Sequence, residues 1–220
     1  MNEVLRCKHG HSKFTHPYCF VKGELKPKQK QRKDVEWWQD MRMGFLDIET
    51  NDLIADPDVG WMVCWAIKER NGKVVTDNLT QEEVLAWKPD KRITKTLIEE
   101  MRKYDVLVTY NGILFDNKYI RTRAFAWKLD FPKWKELLHI DLYWKARTLF
   151  RLSHTTLNNV TKLLDIEGKT KLDFYYWKRA SLGDPKAMKK LLEHNRADVV
   201  ILEQAFDELK DYCKFDKKPL

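Results

Sequence analysis

The sequence predicts an α/β domain built on a mixed five-stranded sheet flanked by helices, with a small Cys/His-rich appendage at its N-terminus. Three observations predict it. Strand-like runs joined by a hairpin signal open the folded region, short apolar strands then alternate with segments of helical spacing, and one long helical pattern closes it.

The first strand is expected over Gly44 to Glu49 and the second over Trp61 to Lys68. Asn71-Gly72 is a two-residue hairpin signal, because Asn and Gly tolerate the positive φ that such turns need. Lys73 to Thr76 then returns as the third strand. Gln81 to Trp87 and Thr94 to Lys103 have helical spacing. Val106 to Tyr110 is a short apolar run, read as a buried strand, and Asp116 to Lys128 reads as a helix. Leu138 to Leu142 supplies the fifth strand. Thr155 to Leu164 carries Leu157, Val160 and Leu164 on one helix face. Asp184-Pro185 is an N-cap followed by proline at the first helical position, and the helical pattern after it runs to about Cys213.

The chain of 220 residues suits one domain with a short appendage, expected as a Cys/His-rich segment over 1–22, a basic linker over 23–40 and a folded domain over 41–220. Hydrophobic residues at 43% and charged residues at 34% exclude a disordered chain. A net charge of +8 makes a polyanion such as nucleic acid, or an acidic membrane surface, a plausible partner. No run of about 18 apolar residues is present, and Met1 to Gly10 lacks an apolar signal core, so a cytoplasmic protein is expected. Reduced thiols follow from that location, and Cys64 and Cys213 read as small core residues.

Three segments carry candidate chemistry. In Phe45-Leu46-Asp47-Ile48-Glu49, alternate residues share a strand face, so Asp47 and Glu49 point the same way. Two adjacent carboxylates repel, which a cation relieves; the other reading is a strand end turned to solvent. Asp116 follows a buried strand and the turn Asn111-Gly112, where it could equally be a helix cap. His194 and Asp198 are four apart on the inward helix stripe with Leu191, Leu202, Ala205 and Leu209, and could equally be a buried His–Asp pair. Taken together, Asp47, Glu49, Asp116 and Asp198 form an oxygen-only donor set that suits two Mg²⁺ or Mn²⁺ ions rather than zinc. Two such ions can drive phosphodiester cleavage, with His194 taking the proton from the attacking water.

These residues resemble those of the DEDD, or DnaQ-like, 3′–5′ exonucleases of the ribonuclease H-like superfamily. Asp47-Ile48-Glu49 is similar to the first exonuclease motif, Asn111-x-x-x-Phe115-Asp116 to the second and His194-x-x-x-Asp198 to the third. The likeness covers about residues 43 to 213. It is closest to exonuclease-like proteins of bacteriophages, which are related to the exonuclease domain of family B DNA polymerases. It implies a ribonuclease H-like fold, metal binding by Asp47, Glu49, Asp116 and Asp198, and substrate contacts from Asn111, Phe115 and Lys118. The three-residue spacing before Asp198 usually carries Tyr in this family, so His194 is a departure. Asp141 is read as a residue that orients or caps rather than binds metal.

The resemblance implies a metal-dependent 3′–5′ exonuclease acting on single-stranded or frayed 3′ ends, with DNA the expected substrate and replication or repair proteins as possible partners. A ribonuclease or endonuclease of the same fold, or a non-catalytic nucleic-acid-binding module, is the alternative. At the N-terminus, Cys7, His9 or His11, His16 and Cys19 could hold one structural Zn²⁺, the other reading being an unliganded leader. Lys26, Lys28, Lys30, Arg32 and Lys33 form an arm that could meet phosphates or be a solvated linker, and Lys118, Arg121 and Arg123 are expected to face phosphates near the site.

Overall fold

A computed structural model describes residues 36–51, 56–86, 89–168 and 170–220. The expected zinc ligands Cys7, His9, His11, His16 and Cys19, and the basic arm from Lys26 to Lys33, lie outside the described residues.

The sheet is assembled around β1 (Met43–Thr50), whose sequence alternates between two buried environments. Met43 and Phe45 pack into one apolar cluster and Leu46 and Ile48 into another, so the strand has a core on each face. Antiparallel to it runs β2 (Met62–Glu69), and β3 (Val74–Asn78) returns antiparallel to β2. Asn71 takes φ 55° in the connecting turn, as its Asn-Gly sequence demands. The turn is tied to the rest of the fold through Glu203, which accepts the Asn71 amide at 2.7 Å and pairs with Lys68 at 2.6 Å.

Two crossovers extend the other side of the sheet. After α1 (Gln81–Leu85) and α2 (Lys91–Met101), β4 (Val106–Thr109) pairs parallel to β1. After α3 (Asp116–Ala126), β5 (Leu138–Asp141) pairs parallel to β4. The sheet order is β3-β2-β1-β4-β5-β6. The helices α4 (Leu142–Leu149), α5 (Leu157–Leu163), α6 (Phe174–Ser181) and α7 (Pro185–Leu209) follow, and α7 packs across β2 and β1. The layout is the expected mixed α/β sheet flanked by helices.

The strand number differs from expectation. A sixth strand, β6 (Lys218–Pro219), pairs antiparallel with Leu138 and His139. Two residues carry no period, so only the pairing partner reveals it. Two helices were also not anticipated. Asp141 ends β5 and at once caps α4, accepting the Tyr143 amide at 3.0 Å, so no loop separates strand from helix. α6 contains Phe174, Tyr175, Tyr176 and Trp177, residues with strand preference. Burial of Trp177 and Ala180, with Asp173 as N-cap, overrides that preference. Asp184 caps α7 as the sequence predicts, accepting the Ala187 amide at 2.8 Å. The helix stops at Leu209 rather than near Cys213, and Phe215 turns back to stack on Phe206 at a ring separation of 5.0 Å.

Candidate active site

The candidate site lies where β1 outruns its parallel neighbour. The last β1–β4 pairing is Phe45 with Val108, and beyond it Asp47 and Glu49 continue β1. A register shift between Glu49 and Thr50 breaks the β2 ladder at this point, a common device for aiming a strand end. The amide of Ile48 would face no strand on the β4 side. It donates instead to the Asp116 carboxylate at 3.3 Å. Asp116 is not the N-cap of its helix: that position of α3 is Phe115, and the Asp116 carboxylate reaches across to β1. The helix α7 brings Asp198 to the same place on its buried stripe.

Burial and like charge act together on the carboxylates, and burial is the larger effect. Burial raises the pKa of Asp47 well above the ordinary carboxylate range, and the nearby charges of Glu49, Asp116 and Asp198 raise it further. Burial likewise lifts Asp116 to about 7. The Cys64 thiol is pushed up by burial and by Glu49 and Asp47, which favours its protonated form. Among the described residues, no three His, Cys, Asp or Glu side chains are drawn tightly enough together to ligate one ion. Like charges hold one another apart unless a cation bridges them. The donor set itself, Asp47 with the charges of Glu49, Asp116 and Asp198 acting on it, has the oxygen-only chemistry that hard divalent ions such as Mg²⁺ or Mn²⁺ take.

Residues not singled out in the sequence hold these carboxylates. Asn195 is fully buried on α7 and donates its amide to Asp47 Oδ2 at 2.6 Å. It lies on the same stripe as Leu191, Asp198 and Leu202, so the 3.6-residue period contained the signal. Trp177 of α6 donates its indole N–H to Glu49 Oε2 at 3.0 Å, a contact with no sequence signature. His194 stands at the rim. Its Nε2 is 3.7 Å from Asp198 Oδ2 and 4.0 Å from Glu49 Oε1, while Nδ1 lies 2.6 Å from the Thr170 hydroxyl.

The loop after β4 is built around Asp141. Its carboxylate accepts the amides of Asn111 at 2.8 Å and Ile113 at 3.0 Å, besides capping α4. Asn111 takes φ 68°, and its buried Oδ1 has no hydrogen-bond partner among the described residues. Gly112 allows no side chain, because a Cβ there would lie 2.2 Å from Thr109 Oγ1. Phe115 is half-buried and packs on the cluster that contains Leu46 and Ile48, and Lys118 is exposed on α3. Arg123 corrects an expectation. It does not face phosphates, because it is buried and grips Asp90 through Nε and Nη2, both at 2.7 Å. Arg121 remains exposed, with its guanidinium 5.4 Å from the Phe131 ring.

Known proteins are similar to this chain over part of their length. The chain is 31% identical over 112 residues to "DNA polymerase" of Methanocaldococcus jannaschii, covering 42% of this chain and 7% of that one. It is 29% identical over 143 residues to "Uncharacterized protein YprB" of Bacillus subtilis, covering 60% of this chain and 34% of that one. The family B DNA polymerase of Pyrobaculum calidifontis superposes with a TM-score of 0.60 at 20% identity, over 76% of this chain and 24% of the polymerase, which establishes likeness of fold. The chain thus spans about a third or less of the relatives it matches. A family model described as the RNase_H superfamily matches residues 44–210, the whole span from β1 to the end of α7, and the chain belongs to that superfamily.

Proposed function

We propose that this chain is a metal-dependent nuclease that shortens DNA from its 3′ end. The observation that carries the reading is the electrostatic convergence of Asp47, Glu49, Asp116 and Asp198 from one strand and two helices. Isolated surface carboxylates need no such arrangement, and two buried carboxylates beside two half-buried ones are costly without cations. The similarity to DNA polymerases supports a nucleic-acid substrate, as does the net charge of +8.

In this reading Asp47, Glu49, Asp116 and Asp198 hold the ions. Two bound Mg²⁺ or Mn²⁺ ions would supply the charge that activates water and stabilises the departing oxygen. Asn195 orients Asp47, and Trp177 orients Glu49. His194 accepts the water's proton at Nε2. In that tautomer Nδ1–H donates to the Thr170 hydroxyl oxygen, which fixes the ring. Asn111 and Phe115 border the substrate, and Lys118 meets a phosphate. The Cys/His-rich segment at Cys7, His9, His16 and Cys19 is proposed to hold a structural Zn²⁺, which metal analysis of the purified chain would test.

The deciding experiment incubates end-labelled single-stranded DNA, duplex DNA and RNA with Mg²⁺ or Mn²⁺, for the wild type and Asp47→Ala. Stepwise shortening from the 3′ end that vanishes in the variant is expected. Cuts within circular DNA would replace this reading with an endonuclease, and binding without cleavage under either metal would replace it with a binding module.

A further inference from the structure

Next to the carboxylates, α6 presents an aromatic surface that the catalytic reading does not use. Trp177 is buried, donates to Glu49 Oε2 at 3.0 Å, and carries the Phe174 ring stacked against it with centroids 5.7 Å apart and planes at 25°. Phe174 is 55% exposed although it belongs to a helix anchored in the core by Trp177 and Ala180. Tyr175 beside it is 56% exposed and lies under the Arg179 guanidinium at 5.4 Å. Lys171 and Lys178 are exposed on either side. An exposed aromatic ring stacked on a buried indole, one stacking step from the Glu49 carboxylate and with exposed lysines three residues before it and four after it, matches what unpaired bases and their phosphates require.

We infer that Phe174 is a base-stacking platform for the terminal nucleotides of a single strand, positioning the scissile phosphate at Glu49 and its partner carboxylates. The inference rests on the proposed nuclease reading and adds a residue that binds the terminal bases of its substrate. A base laid on the outer face of Phe174 extends a stack that ends on Trp177, so the indole that orients Glu49 also sets the depth of the strand. A duplex end offers only its last base pair to such a ring, so the terminus enters unpaired. The Trp177 stack restricts the Phe174 ring before binding, which reduces the entropy lost when a base lands on it.

The test measures binding of the full chain to a labelled single-stranded DNA oligonucleotide by fluorescence anisotropy in Ca²⁺ buffer. Two oligonucleotides are compared, one intact and one with abasic sites at its last two 3′ positions. The wild type is expected to bind the intact strand roughly tenfold or more tightly, the scale of one stacked base. Phe174→Ala should bind both alike, and Phe174→Trp should keep the preference. In Mg²⁺, the loss in Phe174→Ala should appear in KM more than in kcat. An unchanged base preference in Phe174→Ala, or none in the wild type, overturns the platform. Base preference without cleavage would remove the nuclease reading and leave the platform standing, whereas 3′ shortening without base preference would do the reverse.

Discussion

The side-chain amide of Asn195 donates to the Asp47 carboxylate at 2.6 Å, joining the middle of α7 to the end of β1 across 148 positions of sequence. Asp47 is surrounded by like charges, so this neutral donor partly offsets their repulsion. Asn195→Ala should therefore lower divalent-ion affinity by roughly 10- to 100-fold, as loss of a ligand-orienting partner does. Calorimetric titration of Mn²⁺ checks this. Asn195→Asp should be worse, because it sets a further, fully buried carboxylate against Asp47.

Asp116 makes the metal-free protein sensitive to pH. Its folded pKa of about 7 stands above the ordinary value of 3.8, so the folded state holds a proton that the unfolded state releases. The resulting stabilisation is complete below about pH 4 and is lost as pH rises towards 7. Asp47 shifts in the same direction. Urea unfolding of metal-free protein should show stability falling by a few kcal/mol across that window. Asp116→Asn should flatten the slope. Mn²⁺ affinity should rise over the same range, since ligation needs the ionised carboxylates.

Asp90 is wholly buried and satisfies four donors: two nitrogens of Arg123, the Trp127 indole and the Met62 amide. Asp90→Ala strands the Arg123 charge, and a loss of about 3–5 kcal/mol is expected. Thermal unfolding measures it. Substituting both partners by apolar residues should cost less than removing Asp90 alone.

Asp141 supports the loop that leads to Asp116 through the amides of Asn111 and Ile113, and caps α4 through the amide of Tyr143. Asp141→Ala leaves these donors unmatched and removes a helix cap, for a loss of about 2 kcal/mol or more. Cleavage should fall together with stability, since the displaced loop carries Asn111 and Phe115. Asp141→Asn keeps an acceptor oxygen and should retain part of both, which unfolding and cleavage assays on the same preparations would reveal.

Much of this was legible in the chain. Alternation in β1 put Asp47 and Glu49 on one face, and Leu46 and Ile48 do pack into the opposite core. Asn71-Gly72 and Asp184-Pro185 marked a hairpin and a helix start because their backbone demands are local. Asp116 was ambiguous by sequence, since a helix-start carboxylate ordinarily caps. Its bond to Ile48 resolved the ambiguity, and that bond exists only because β4 ends before β1 does. Arg123 was misread as free to meet phosphate, because nothing local distinguishes it from the exposed Arg121.

The sequence by itself determined which residues share a face: Asp47 with Glu49 at period two, and Asp198 with Leu191 and Leu202 at helical period. Periodicity follows from backbone geometry, which each segment carries within itself. Only the tertiary structure decided what those faces meet. Asn195 against Asp47, Trp177 against Glu49 and Thr170 against His194 depend on how α6, α7 and the preceding loop dock on the sheet. Those contacts join segments far apart in sequence, and their partners are set by strand order and helix placement, which no local pattern encodes.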